Sequence, residues 1–122
     1  MNENQQKPIY DLEERTFQFA KKVRLLVKLI PKTVENIEDI KQLVKASGSV
    51  GANYIEANES LGKKDFTFRI RISRKEAKES AFWIRLILET NKNLPEEETG
   101  KYLFQEATEL KKILSAIEGK SK

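Results

Sequence analysis

The sequence predicts an all-α protein: an antiparallel up-down-up-down four-helix bundle formed by a single domain of residues 1–122. Apolar residues recur at steps of three and four in four segments, which is the spacing of one helix face. Short segments containing Pro, Gly or Asn separate these four, and no segment alternates apolar and polar residues as a half-buried strand would. Four amphipathic helices with short connections favour an antiparallel bundle, because each must bury its apolar face against the others.

The first two helices have clear boundary signals. The first is predicted over residues 10–30, because Pro31 cannot continue a helix. The second is predicted over residues 34–61, with Thr33 as its N-cap. Gly62 then occupies the position after the helix end, where a left-handed residue commonly stands.

The last two helices are delimited in the same way. The third is predicted over residues 65–90 and ends at Asn91, a residue typical of turns. The fourth is predicted over residues 96–118, since Pro95 suits the start of a helix and Gly119 suits its end. Each of these segments carries one apolar stripe.

The stretch "SGSVGANYIEANES" places small residues in the middle of the second helix. A phosphate-binding loop would need its Gly backbone N–H groups free at a helix N-terminus, whereas these Gly residues lie inside the helical period. We therefore expect a flat patch against which a neighbouring helix packs closely, with a large side chain such as Trp83, Phe82 or Tyr54 beside it. The predicted helix-packing residues are Ser47, Gly48, Gly51 and Ala52.

The composition excludes several classes of function. The chain has no Cys and no His, so it has no disulfide, no thiol nucleophile and no imidazole base or metal ligand. No cofactor and no metal ion are therefore expected. No apolar run approaches the roughly 20 residues that cross a bilayer, and the first residues lack a signal-peptide pattern. We expect a cytoplasmic, bacterial-type protein without a membrane partner.

The positive charge is concentrated in one segment. The net charge is +4, yet residues 63–85 hold eight basic and three acidic residues, while the two flanking segments are nearly balanced. This surplus indicates either a solvated face that pairs with acids or a surface that contacts nucleic-acid phosphates. The candidate nucleic-acid-binding residues are Lys63, Lys64, Arg71, Arg74, Lys75, Lys78 and Arg85.

Two further features qualify this surface. Lys21, Arg24 and Lys28 have similar spacing on the first helix and form a second basic face. We assign no aromatic residue to the line of basic residues on the third helix. We therefore expect no stacking with nucleobases and only weak sequence specificity.

Three pairs of glutamates stand three residues apart, so each pair shares a helix face. They are compatible with magnesium, and all-α nucleotide pyrophosphohydrolases use such acids, whereas a di-iron bundle would need His. Alternatively the acids are structural, and Glu56 is predicted to pair with Arg74 or Lys75 on the third helix. The pairs are Glu56 with Glu59, Glu76 with Glu79, and Glu106 with Glu109.

Four segments together resemble a known family. "DLEERTFQFA", "KQLVKASGSVGANYIEA", "KKDFTFRIRISRKEAKESAFWIRLI" and "EATELKKILSAI" resemble the bacterial four-helix-bundle proteins named for intervening sequences in 23S ribosomal RNA. That family is similar to the accessory variability protein of diversity-generating retroelements, a basic pentamer that works with a reverse transcriptase and nucleic acid. The resemblance implies a homo-oligomer, with five subunits expected, and RNA or DNA and a protein as partners.

Residues and resemblance together indicate a non-enzymatic oligomer whose basic surface binds RNA or DNA through phosphates. Two alternatives belong to other functional classes. One is a scaffold that holds a protein partner and binds no nucleic acid. The other is a magnesium-dependent nucleotide pyrophosphohydrolase.

Overall fold

The computed structural model describes residues 8–121, with side chains from Leu12 onward. This part of the chain contains four helices and no strand, which confirms the predicted all-α four-helix bundle. Residues 1–7 and 122 of the predicted domain lie outside the described residues. The helices are α1 (Pro8–Val27), α2 (Val34–Asn58), α3 (Lys63–Thr90) and α4 (Glu97–Ser121).

The helices form a closed arrangement in which consecutive helices are antiparallel. α3 packs against both α2 and α4, and α1 closes the bundle against the other sides of α2 and α4. The start of α2 lies beside the end of α3, where Asn36 and Asn91 exchange side-chain hydrogen bonds of 2.7 and 2.9 Å. The start of α3 lies beside the end of α4, where the Thr67 hydroxyl donates to Ser121 Oγ at 3.1 Å.

The core is built from the apolar stripes that the spacing predicts. Leu, Ile, Val, Phe and Ala side chains from all four helices meet along the bundle axis and are removed from water, which is the main favourable term in folding. The largest fully buried side chains are Phe19, Leu43, Ile70, Ile84, Leu103, Leu110 and Leu114. None of the helices in residues 8–121 is long and apolar enough to cross a membrane.

The end of α1 comes earlier than predicted. The helix stops at Val27 rather than at residue 30, because the chain tightens into a turn with hydrogen bonds between residues three apart. The N–H of Leu29 bonds to the carbonyl of Leu26 at 2.9 Å, and Ile30 bonds to Val27 at 3.3 Å. The ammonium of Lys32 donates to the Val27 carbonyl at 3.0 Å, which satisfies an acceptor left open at the helix end.

Of the capping roles predicted for Thr33, Gly62 and Gly119, the first is confirmed and the other two are wrong. Thr33 caps α2, since its hydroxyl accepts the backbone N–H of the residue three positions later at 3.2 Å. Gly62 has extended backbone (φ −151°, ψ 163°) and caps the start of α3 rather than the end of α2, which stops at Asn58. Gly119 does not end α4, because the helix continues through it to Ser121.

Two glycines of α2, Gly48 and Gly51, face α1. Ser47 and Gly51 are buried, and a Cβ on Gly51 would lie 2.9 Å from Oγ1 of Thr16 and 3.2 Å from its Cβ. A Cβ on Gly48 would lie 3.1 Å from a guanidinium nitrogen of Arg24. The stretch is therefore helical, and its small side chains allow the α1 backbone to approach closely.

Two details of the predicted packing differ from the structure. Ala52 is exposed, because it follows Gly51 by about 100° around the helix and so points away from α1. Neither Trp83 nor Phe82 is among the nearest neighbours of the small patch, where Thr16 and Arg24 lie instead. A small side chain, rather than an aromatic one, meets the glycine because the two helices are close.

Candidate nucleic-acid interface

All seven predicted nucleic-acid contacts belong to α3. This helix has 28 residues without a break and is about 42 Å long at 1.5 Å per residue. One side of α3 enters the core, and the residues buried there are isoleucines toward the two ends with three small side chains between them. They are Ile70, Ser73, Ala77, Ser80, Ile84 and Ile87. The opposite side of the helix is left for charged residues.

The exposed side of α3 carries a line of cations that we call the basic stripe: Arg71, Lys75, Lys78 and Arg85. All four are exposed, since steps of four, three and seven residues return to nearly the same side of a helix. Lys63 and Lys64 are exposed at the start of α3, where Lys64 extends the stripe by one further seven-residue step. Arg74 is half-buried beside it.

Two of the predicted contacts are held by an acid on α4. Glu118 accepts a hydrogen bond from Nε of Arg71 at 2.8 Å and another from Nε of Arg74 at 2.8 Å. The glutamate is only 7% exposed, although it lies near the end of the chain. Hydrogen bonds from Arg71, reinforced by Arg74, lower the pKa of Glu118 despite burial, which acts in the opposite direction. Both arginines therefore already have a carboxylate partner.

The remaining candidates differ in how their charges are compensated. Arg85 pairs with Glu89 one turn later at 3.0 Å, in an exposed pair that contributes little to stability. Within residues 12–121 no ion pair reaches the four candidate lysines, so their ammonium groups face solvent without a carboxylate in contact. These lysines are Lys63, Lys64, Lys75 and Lys78.

The prediction for Glu56 is wrong. Its side chain is exposed, and no ion pair among the described residues involves it. The acid that pairs with Arg74 is Glu118, which comes from α4 rather than α2. The reason is geometric, because Glu56 lies near the end of α2 on its outer side and Arg74 turns toward α4.

A second acid lies next to the stripe. Glu76 is half-buried, and its pKa is raised by burial and by the neighbouring charge of Glu79, while Lys75 and Lys45 oppose this change. Lys75 therefore acts on Glu76 at a distance without a direct contact. The surface along α3 is predominantly, but not uniformly, positive.

Two aromatic side chains lie on the basic stripe, contrary to our expectation. Phe68 and Phe82 are 52% and 58% exposed. Each is seven residues from Lys75, a separation that returns to within about 20° of the same direction on a helix. The seven-residue spacing of these two phenylalanines from Lys75 can be read from the sequence. It is easily overlooked because Phe66, two residues before Phe68, belongs to the apolar stripe.

The second basic face, on α1, is partly used for packing. Arg24 donates to the carbonyl of Ala20 at 3.3 Å and to that of Val44 at 3.4 Å, and its guanidinium covers Gly48. Lys21 and Lys28 stay exposed. This face therefore offers fewer free cations than its sequence indicates.

The glutamate pairs do not assemble a metal centre. Among the described residues, no three acidic side chains come together in a group that could hold a metal ion. Glu106 is instead engaged by Arg15, whose Nε and Nη2 donate to its two carboxylate oxygens at 2.7 and 2.9 Å. The acids on which the pyrophosphohydrolase alternative depends are not brought to one place.

Comparison with known families identifies the group to which this bundle belongs. Residues 10–116 match the sequence model of the 23S rRNA-intervening sequence protein family. The chain belongs to this family. The match spans all four helices, so the residues that build the core and those that build the basic stripe both lie inside the family domain.

A solved structure supports the same assignment. The chain is similar to the crystal structure of a protein of unknown function from the S23 ribosomal protein family of Bacteroides thetaiotaomicron, with a TM-score of 0.78 and 25% sequence identity. The similarity covers 91% of this chain and 97% of that one. No functionally curated protein is significantly similar to the chain.

Proposed function

We propose that this member of the 23S rRNA-intervening sequence protein family is a non-enzymatic, self-associating protein of the cytoplasm that binds RNA or DNA through phosphates. The exposed side of α3 is the binding surface. A protein partner, as the family resemblance implies, acts beside the nucleic acid on the same assembly.

The observation that carries this proposal is the set of four lysines without carboxylate partners on one helix. Lys63, Lys64, Lys75 and Lys78 are exposed, and no ion pair within residues 12–121 offsets them. If all four lysines contact phosphates, counterion release makes the binding constant fall with salt concentration. The expected slope of log K against log salt concentration is about −3.6 for duplex DNA or about −2.8 for a single strand. Lysine contacts to phosphate carry no sequence information, so binding is weakly sequence-specific.

Self-association is supported by apolar side chains on the outside of α1. Phe17 and Leu25 are exposed on α1, and Leu29 is exposed in the turn that follows the helix. Such a surface is suited to burial against another copy. We propose five copies in a ring, as the resemblance implies, which would repeat the α3 surface around the assembly and steepen the salt dependence for a ligand that spans several protomers.

The test is nucleic-acid affinity as a function of salt for charge-reversed protein. The double variant Lys75→Glu/Lys78→Glu is expected to lose most of its affinity and to flatten the log–log slope by about two. Lys41→Glu/Lys112→Glu makes the same charge change on exposed sides of α2 and α4 and serves as the matched control. Equal affinity for the α3 variant and the unmodified protein would refute phosphate binding at this surface.

The main alternative is a protein scaffold without nucleic-acid binding. The exposed apolar side of α1 also suits a different protein, so this alternative shares one supporting observation. It predicts no salt-dependent binding of any nucleic acid and no effect of the α3 charge reversal. The pyrophosphohydrolase alternative predicts magnesium-dependent nucleotide hydrolysis, which a direct assay of product release checks.

A further inference from the structure

Two of the three phenylalanines on α3 lie on its exposed side, outside the core. Phe68 and Phe82 are each more than half exposed, and both belong to the side of the helix that faces away from the bundle. An aromatic side chain in this position loses the favourable free energy that burial would supply. Since they share a helix face with lysines, the two rings form part of the same surface as the unpaired charges.

The geometry of this surface follows from the regular helix. Phe68 and Phe82 are 14 residues apart, which corresponds to about 21 Å along the axis, with Lys75 halfway between them. Arg71 and Arg85 each follow a ring by three residues, and Lys64 and Lys78 each precede a ring by four. Each ring therefore lies between cations on one line along the helix.

Each ring is held in place by a neighbour. The ring of Phe82 meets that of Trp83 edge to face, with centroids 4.9 Å apart and an angle of 83° between planes. The guanidinium of Arg69 lies 5.9 Å from the centroid of Phe68 and is tied to Asn53 Oδ1 by a 3.2 Å hydrogen bond. A ring that is oriented before binding loses less conformational entropy when a ligand stacks on it.

At the start of α3 the surface is concave. Phe68 and Arg71 line an open groove together with Lys63, Lys64 and the end of α4 at Ser121. The groove thus offers one aromatic face and the two free ammonium groups of Lys63 and Lys64, beside Arg71, which Glu118 holds. This combination fits a nucleotide, which brings an aromatic base and a phosphate together.

A helix from another protein fits this surface less well than a nucleic acid. The spacing of four and three residues along the stripe has the period of a coiled-coil seam, whose positions must be apolar. Of the seven positions from Lys64 to Arg85 on this line, only the two phenylalanines are apolar, and the other five are cationic. Charge complementarity therefore selects a polyanion with aromatic groups.

We propose that α3 binds single-stranded RNA or DNA, with bases stacked on Phe68 and Phe82, the phosphates between them on Lys75 and Lys78, and a further phosphate on Lys64. This inference rests on the proposed function and narrows its ligand class. A duplex keeps its bases inside the stack and offers no free base face, so it engages only the lysines. The protein then prefers single strands to duplexes at equal salt.

The test compares a fluorescently labelled 20-nucleotide single strand with a duplex of the same sequence in anisotropy titrations. Phe68→Leu and Phe82→Leu, which keep an apolar side chain but remove the π face, are each expected to weaken single-strand binding about 5- to 150-fold. Duplex binding and the salt slope are expected to stay unchanged. Phe68→Tyr and Phe82→Tyr retain the stacking face and the affinity.

Tyr102→Leu is the matched control, because Tyr102 is an aromatic residue 49% exposed on α4 and lies off the stripe. If the leucine variants at Phe68 and Phe82 bind single strands as tightly as the unmodified protein does, or weaken both ligands equally, stacking is refuted. The Lys75→Glu/Lys78→Glu variant separates a failure of the stacking proposal from a failure of the proposed function. If only stacking is wrong, this variant still lowers the affinity for both the single strand and the duplex. An acidic helical peptide that binds the stripe while neither nucleic acid does would overturn both.

Discussion

Nε of Arg71 on α3 lies 2.8 Å from a carboxylate oxygen of Glu118 on α4, and the same carboxylate holds Arg74 through its other oxygen. One buried acid thus joins the end of the chain to the middle of the basic helix. It stabilises the contact between the two helices, and it also removes two arginines from the set of cations available to a ligand.

Replacing this acid should destabilise the protein. Glu118→Gln keeps the shape of the side chain but leaves the two guanidinium groups without their anionic partner, and we expect a loss of about 1–3 kcal/mol in the free energy of unfolding. The loss is moderate because both arginines are partly solvated. Urea denaturation measures it, and Glu89→Gln at the exposed pair with Arg85 is the control, with a change within about 0.5 kcal/mol. Equal stability of the Glu118→Gln and unmodified proteins would show that the pair contributes nothing.

The same pair predicts a dependence of stability on pH. The pKa of Glu118 is lowered in the folded state relative to the ordinary 4.5, so its contribution is present above that value and is lost as the pH falls through the lowered one. Urea titrations from pH 6 downward should show this loss below about pH 4.5. The Glu118→Gln protein should not show this loss of stability at low pH. If its stability falls with pH as that of the unmodified protein does, Glu118 is not the group responsible.

The contact between Gly51 and Thr16 predicts opposite effects at two helical glycines. Gly51→Ala places a methyl group within 2.9 Å of the Thr16 hydroxyl oxygen, and we expect a loss of about 1–3 kcal/mol from overpacking, partly offset by higher helix propensity. Gly119→Ala meets nothing within 4 Å inside α4 and should gain up to about 1 kcal/mol. Thermal unfolding compares the two, and a stabilised Gly51→Ala protein would show that α1 and α2 separate easily.

Much of the fold could be predicted from the sequence because the information is local. The three- and four-residue spacing of apolar side chains defines the helices, and Thr33 marks the start of α2 through a contact only three residues long. The errors arise where local signals compete. Gly62 and Gly119 are both acceptable helix-ending residues, but α2 ends at Asn58, before Gly62, and α4 continues past Gly119 to Ser121.

The candidate site could be predicted only in part. The spacing of basic residues along α3 correctly predicts that they share one exposed side. The ion pairs of Arg71 and Arg74, however, depend on Glu118, which is more than 40 residues away in the chain. No pattern within one helix indicates such a contact. The exposed phenylalanines, in contrast, had a local signal, the seven-residue step through Lys75.

Releasing the arginines should strengthen nucleic-acid binding. In Glu118→Gln the guanidinium groups of Arg71 and Arg74 lose their carboxylate, so they become available to phosphates and increase the number of ion contacts. We expect tighter binding at low salt and a log–log slope steeper by up to about two. Salt titrations of anisotropy measure the change, with Glu89→Gln on the same helix as comparison. Weaker binding would mean that the arrangement of the two arginines matters more than their charge.

We propose that the protein self-associates and binds nucleic acid on α3. The mass of the protein in solution, with and without a single-stranded oligonucleotide, tests this most directly. Sedimentation or light scattering on the 14.1 kDa chain should report an assembly, about 70 kDa for five copies, that gains the mass of the oligonucleotide at low salt. The gain should vanish for Lys75→Glu/Lys78→Glu while the assembly persists. A species of 14.1 kDa whose mass the oligonucleotide leaves unchanged would contradict the account.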